Sequence, residues 1–214
     1  LKIGDARGIW VNEFLQTSDE NIFAVGDVIE FIHPITGNSI PTYLAGPANK
    51  QGRICAHNLT HEKKNQYKGS IGTAIVKVFD MTVAVAGVAS KHLKAAQIKH
   101  STAIIHSGSH AGYYPGSETM TIQITFNDED GTLYGAQIIG KDGVDKRIDI
   151  LSNLIQRQGT VHDLTEFEHA YAPPFSSAKD PVNMVGFVAE NIMTKKLFLA
   201  DWDELQLGAT DDLI

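Results

Sequence analysis

Apolar positions along the chain come first in short unbroken runs and later in alternating and helical spacings. Ile9, Trp10 and Val11 form a first short strand, and Ile22, Phe23, Ala24 and Val25 form a second run that is apolar on both alternating faces. Such a run is expected to be a parallel strand covered on both sides. A polar turn of Ser18, Asp19, Glu20 and Asn21 leads into it, and Gly26-Asp27 ends it, before a loop through His33, Pro34 and Gly37. The segment that follows predicts a helix entered at Pro47, with Ala48, Gly52, Cys55, Ala56 and Leu59 at helical spacing. Small residues on that stripe imply close packing.

The pattern shifts from Gly69, and a domain boundary is expected within 63–70. Strands are expected over 73–79, 81–89, 101–106, 119–127 and 132–140, with Asp128, Glu129, Asp130 and Gly131 turning the last two into a hairpin. Ser90 is placed to cap a short helix running to Gln97. Val144, Ile148, Leu151, Leu154 and Ile155 form an amphipathic stripe, and Val182, Val185, Ala189 and Ile192 form another after Pro181, ending near Thr194. The fold class read from this order is α+β. Residues 1–68 read as the tail of a larger α/β domain, because two strands cannot make a covered parallel sheet. Residues 69–200 read as a domain with an antiparallel sheet and helices, and 201–214 as a linker.

Composition narrows the classes. A chain of 214 residues that is 43% hydrophobic can bury a substantial core. A formal charge of −7, with no basic run or aromatic-basic stripe, argues against nucleic acid as a partner. The apolar runs are far too short to span a bilayer, so no membrane partner is expected. A single cysteine, Cys55, excludes an internal disulfide and suits a reducing compartment, hence a cytoplasmic location. No signal peptide is visible, although the chain opens inside a motif region.

Candidate chemistry is concentrated in a few stretches. Gly26 lets a ligand approach the backbone, and Asp27 sets a carboxylate beside it that suits sugar-like hydroxyls. HAYAPPFSSAKDP (169–181) puts an aromatic hydroxyl, Tyr171, ahead of two prolines that stiffen the loop. HAGYYPGS (110–117) sets Tyr113 and Tyr114 against a Pro-Gly turn. Cys55 has no CxxC or CxxxxC partner and reads as a small apolar residue on a helix face. His57 and His61 could share a helix face but lack a third ligand, so no metal site is expected. There is no GxGxxG fingerprint anywhere in the chain.

TSDENIFAVGD (17–27) resembles the second flavin-binding motif of the two-dinucleotide-domain flavoproteins. The order of elements after residue 69 resembles the dimerisation (interface) domain of flavoprotein disulfide reductases. YYPG, KDGVDKRID, DLTEFE and AYAPPFSSAKDPVN look like the coenzyme A-disulfide reductase branch, which includes coenzyme A persulfide and polysulfide reductases. The resemblance covers nearly the whole chain.

That resemblance implies FAD as cofactor, with Asp27 and Gly26 at the ribityl chain and Leu44, Ala45 and Gly46 at the helix N-terminus facing the pyrimidine side of the ring. Phe175 joins this cofactor-binding set. It implies a homodimer in which Tyr171 and Tyr113 act from the partner subunit, assisting departure of a coenzyme A thiolate; Tyr114 beside Tyr113 leaves that second assignment open. The NAD(P)H site, the first flavin motif and the single redox cysteine would lie upstream, so this polypeptide alone is not expected to turn over. An NADH oxidase or peroxidase of the same superfamily, or a bare dimerisation module without flavin, are the other readings. The apolar pair Leu213 and Ile214 after LGATDD is where some members of the branch continue into a rhodanese-like domain.

Overall fold

A strand persists only where a neighbour takes up its backbone hydrogen bonds, and that rule sorts the first forty residues. The computed structural model describes residues 1–62 and 64–199. In it β1 (Ile9–Trp10) runs parallel to β2 (Ile29–Ile32), and β2 pairs antiparallel with β3 (Ser39–Pro41), giving a three-stranded sheet in the order β1-β2-β3.

The run 22–25 does not join it, which corrects the expected covered parallel strand. Phe23 makes a single bridge to Gln16, and Ile22 is 41% exposed. The run folds back on residues just before it, with Thr17 N–H donating to Ile22 O at 2.9 Å and Ala24 N–H to Leu15 O at 3.1 Å. Gly26 and Asp27 accordingly open a 3-10 turn (Gly26–Val28) instead of ending a strand. The expected loop through His33 and Gly37 is the connection of the β2–β3 hairpin.

Buried polar side chains hold this part together. Glu30 in β2, 3% exposed, accepts hydrogen bonds from the N–H groups of Ala6 at 2.8 Å and Gly8 at 3.3 Å. The expected helix is α1 (Ala45–Thr60), but its expected stripe is not what it buries: Leu59 is 61% exposed, and the buried residues are Gln51 and Asn58. Gln51 Oε1 accepts from Gly26 N–H at 2.6 Å, while Asn58 Nδ2 donates to Phe14 O at 3.0 Å and Asn65 O at 2.9 Å. Polar groups whose bonds are all made can be buried, so α1 is attached by hydrogen-bonding hooks.

Beyond residue 70 the alternation is read directly into structure. β4 (Ala74–Val78), β5 (Met81–Gly87), β6 (Ser101–Gly108), β7 (Thr119–Phe126) and β8 (Leu133–Gly140) form a five-stranded antiparallel sheet in the order β4-β5-β8-β7-β6. Register aligns Ala84, Ile138, Ile122 and Ile105 in one row. α3 (Val144–Gln156) and α5 (Pro181–Met193) pack against that sheet, their buried residues Ile148, Leu151, Val185 and Ala189 joining the same core. The adjacent row Val76, Val83, Ile139, Thr121 and His106 alternates to the opposite face, where Val76 is 56% and Ile139 45% exposed.

The helices differ from expectation in two details. Ser90 lies inside α2 (Ser90–Ala95), whose N-cap is Ala89, and its hydroxyl meets His100 Nε2 at 2.8 Å. α4 (Val161–Glu166) was not anticipated: six residues are too few to show a period, though Thr160 and Asp163 form a capping box at its start. α5 opens as expected at Pro181, with Asp180 capping it by accepting from Val182 N–H at 3.0 Å. No helix among the described residues is long and apolar enough to cross a membrane. The expected linker at 201–214, with Leu213 and Ile214, lies outside the described residues.

The central row makes a stability prediction. Ile122 is fully buried, so Ile122→Ala should cost about 2–5 kcal/mol through lost burial and a residual cavity. Denaturant unfolding should show a lower midpoint at unchanged slope; a loss under about 1 kcal/mol would contradict this core assignment.

Candidate functional site

The loop 109–118 leaves β6 and returns as β7, and the loop 167–180 joins α4 to α5. Pro115 stiffens the first and Pro173 and Pro174 the second. Ala111 N–H donates to Ser176 O at 2.9 Å, so the loops are bonded to each other at the backbone. At their tips the hydroxyls of Tyr113 and Tyr171 stand 2.8 Å apart, although 58 residues separate them in sequence. Both side chains face solvent, Tyr113 at 76% and Tyr171 at 46% exposure.

Neighbouring Tyr114 takes another role: its ring lies edge-on to His110 at 5.7 Å, and its N–H donates to Ala111 O. Tyr171 and Phe175, with Lys146, Ala170 and Ala172, line an open apolar depression. The bond to Tyr113 holds the Tyr171 phenol above the ordinary tyrosine value, with desolvation adding to it. A hydroxyl in that state remains protonated and available as a donor near neutral pH.

Beneath the pair lies a buried charge cluster that sequence reasoning did not single out. Arg147 on α3 is 1% exposed, and its side chain pairs with the fully buried Asp180 at 2.8 Å. Burial pushes the Asp180 carboxyl up, but hydrogen bonds from Arg147, Ser176 and the Val182 N–H outweigh it and hold the group below its ordinary value. Lys146 Nζ and His169 Nδ1 each lie 3.9 Å from Asp180 Oδ2. Burial holds His169 below its ordinary value, partly countered by Asp180 and reinforced by Lys146 and Arg147. Its imidazole is therefore neutral near pH 7.

A sequence signal for Arg147 existed: it stands three residues after Val144 and four before Leu151, on the apolar stripe itself. An arginine there must be buried with a partner. The signal for Asp180 was an aspartate directly before a helix-opening proline.

A second group of candidates surrounds the start of α1. Gly26 has φ +80, and a Cβ added there would meet only the Ala48 side chain at 3.9 Å. Asp27 is exposed in the turn that follows. Leu44 is the N-cap of α1 with no side-chain cap, Ala45 is exposed, and nothing lies within 4 Å of a Cβ added at Gly46. Open backbone, uncapped helical N–H groups and a nearby carboxylate suit a ligand with both an electron-rich ring edge and sugar hydroxyls. These residues fit the flavin that the sequence motif implied.

Other candidates carry less. Burial pushes the Cys55 thiol up, away from a reactive thiolate. The rings of His57 and His61 stack at 4.2 Å, and no group of three or more metal-ligating side chains occurs among the described residues.

Known proteins resemble this arrangement closely. Residues 73–181 match the family described as pyridine nucleotide-disulphide oxidoreductase, dimerisation domain. The coenzyme A disulfide reductase of Staphylococcus haemolyticus is 38% identical over 192 residues, which cover 90% of this chain and 43% of that protein. The reduced CoADR-RHD of Bacillus anthracis superposes with a TM-score of 0.93 at 44% identity, over 96% of this chain and 37% of its own. An NAD-dependent persulfide reductase from A. fulgidus superposes at 0.91 and 39% identity, over 95% and 38%. The chain thus spans less than half the length of these relatives.

The phenol pair yields a titration prediction. Tyr171 should ionise above the ordinary value of about 10, and Tyr113→Phe should bring it back down by removing the bond. Ultraviolet difference titration, with Tyr171→Phe identifying the signal, reads this; a Tyr171 ionisation unmoved by Tyr113→Phe would refute the coupling.

Proposed function

We propose that this chain, which belongs to the pyridine nucleotide-disulphide oxidoreductases, is the C-terminal part of a flavoprotein that passes electrons from NAD(P)H through FAD to a coenzyme A disulfide, persulfide or polysulfide. Residues 1–68 complete its FAD-binding domain, 69–200 form the dimerisation domain, and 201–214 lead out of it. The redox cysteine and the nicotinamide site belong to the portion preceding Leu1. The bonded hydroxyls of Tyr113 and Tyr171 carry this reading, and the coenzyme A disulfide reductase and persulfide reductase relatives support it.

When bound, FAD supplies the two-electron relay between nicotinamide and cysteine. Gly26 would admit the ribityl chain beside its backbone, Asp27 would accept from its hydroxyls, and Leu44, Ala45 and Gly46 would present α1's first N–H groups to the pyrimidine edge. Phe175 would close the apolar wall beside the tyrosines. In the chemical step, the cysteine thiolate attacks one sulfur of the substrate disulfide; that S–S bond breaks and coenzyme A leaves as thiolate. Tyr171, protonated and oriented by Tyr113, donates the hydrogen bond or proton that makes the thiolate a better leaving group. Lys146, on the rim of the same depression, adds positive charge near that thiolate. The tyrosine pair favours disulfide chemistry over an oxidase or peroxidase, which has no thiolate leaving group to protonate.

The tyrosines of one subunit serve the flavin side of its partner. The apolar sheet face bearing Val76, Val85, Ile104 and Ile139 supports association, because a surface of this kind is covered in most soluble proteins. A reducing, cytoplasmic setting belongs to this reading and is supported by the single cysteine of the chain.

Two outcomes check this. In the full-length protein, Tyr171→Phe should leave FAD content and flavin reduction by nicotinamide intact while slowing reoxidation by coenzyme A disulfide about a hundredfold; reoxidation at the parental rate in both Tyr171→Phe and the double change with Tyr113→Phe would rule the role out. Sedimentation should report a dimer at micromolar concentration, and a clean monomer there would count against the dimerisation assignment.

A further inference from the structure

The planar fork of Arg147 reaches three separate segments of the chain, two through backbone carbonyls and one through side-chain oxygens. Nη2 donates to Ser109 O at 2.8 Å, at the base of the loop that carries Tyr113. The same nitrogen reaches Ser176 Oγ at 3.4 Å and Asp180 Oδ2 at 2.8 Å, both in the loop that carries Tyr171. Nε reaches Asp180 Oδ1 at 3.4 Å, and Nη1 donates to Gly143 O at 3.2 Å, ahead of α3. Asp180 in turn accepts from the Ser176 hydroxyl and caps α5 through Val182 N–H.

Stability alone gives weak grounds for such a buried pair. Desolvating two charges costs several kcal/mol, and well-packed apolar replacements are often neutral or stabilising. What apolar side chains cannot reproduce is direction. A guanidinium offers donors in a fixed plane, so the two loop bases are set at fixed distance and angle to each other. The hydroxyls at the loop tips then meet at 2.8 Å. Exposed side chains at the ends of two loops could not hold that distance unaided, since each would lose rotamer freedom for one solvent-facing bond.

We propose that Arg147 is a positioning residue for the reduction of the disulfide substrate, acting through the Tyr113–Tyr171 pair by fixing the bases of both loops. At 1% exposure Arg147 has no surface to offer a ligand and acts through its partners. The proposal rests on the function proposed above for the tyrosines. A misplacement on the order of 1 Å at such a pair can cost about a hundredfold in rate, so a loosened clamp should be visible kinetically before it is visible as unfolding.

The test uses the full-length holoenzyme and Arg147→Lys, which keeps a cation beside Asp180, but its shorter side chain stops short of the Nη2 position that serves both loops and lacks the separate Nε and Nη1 donors. The ring-carbon NMR signals of Tyr113 and Tyr171, labelled at Cζ and assigned by their Phe variants, should move in Arg147→Lys towards the positions seen when the partner hydroxyl is removed. Reoxidation by coenzyme A disulfide should slow at least about tenfold with flavin reduction unchanged. In the background lacking both hydroxyls, the same substitution should have no further effect. Unmoved tyrosine signals in a folded variant, or an equal slowing in both backgrounds, would overturn the clamp. If the protein lacking both hydroxyls keeps the parental rate, the functional reading falls, while the tyrosine signals still decide the clamp. Should Arg147→Lys not fold, the charge-free double change Arg147→Met with Asp180→Leu takes its place; failure of both to fold would make Arg147 a stability residue and remove the proposal.

Discussion

A buried charge needs a partner, and the pairing of Arg147 with Asp180 is the constraint around which the C-terminal part of this molecule is arranged. Neither side chain has access to water, so neither can be left alone without a penalty on the order of 3–5 kcal/mol. Satisfying them draws together α3, the start of α5, the loop between β6 and β7 and the loop between α4 and α5. Asp180 serves three of these elements at once, as ion partner, helix cap and acceptor for Ser176. The exposed tyrosines are consequences of that arrangement.

The first part of the chain reaches order by a different route. Glu30, Gln51 and Asn58 are buried with neutral backbone donors and acceptors as partners, and their burial fixes turns that have little regular structure of their own. Each bond is worth about a kcal/mol net, but leaving any of these groups unpaired would cost more. Irregular backbone can therefore be held firmly without a regular element around it.

How much of this could be read from sequence follows from the range of the interactions. β4 to β8 were legible as strand-like runs bounded by turn residues; inward and outward positions alternate clearly in β5, whereas no residue of β4 is buried. The run 22–25 misled because two apolar faces report what a strand would bury and say nothing about whether neighbours pair with it. The α1 stripe misled because apolar spacing ignores amides: Gln51 and Asn58 are inside only because their partners, Gly26 and Phe14, happen to lie opposite. α4 is too short to declare a period. At the site, the tyrosines were named through a resemblance, whereas the pairing of hydroxyls 58 residues apart and of charges 33 residues apart depends on topology. The buried arginine was nonetheless marked locally, by its place on an apolar stripe.

The bond from Gly26 N–H to Gln51 Oε1 has a metric consequence. It pins the Gly26 turn to the second turn of α1, while the uncapped N–H groups stand at the beginning of the same helix. The Gly26 turn itself lies against Ala48, four positions from Leu44, which at about 1.5 Å per residue is roughly 6 Å along the axis. Because the helix is stiff, that separation cannot be adjusted by rotating side chains, and the two ends cannot drift independently. The chain thereby holds the open glycine turn and the free helix N–H groups at one set spacing, and a change of side chain in either place leaves the distance between them as it is.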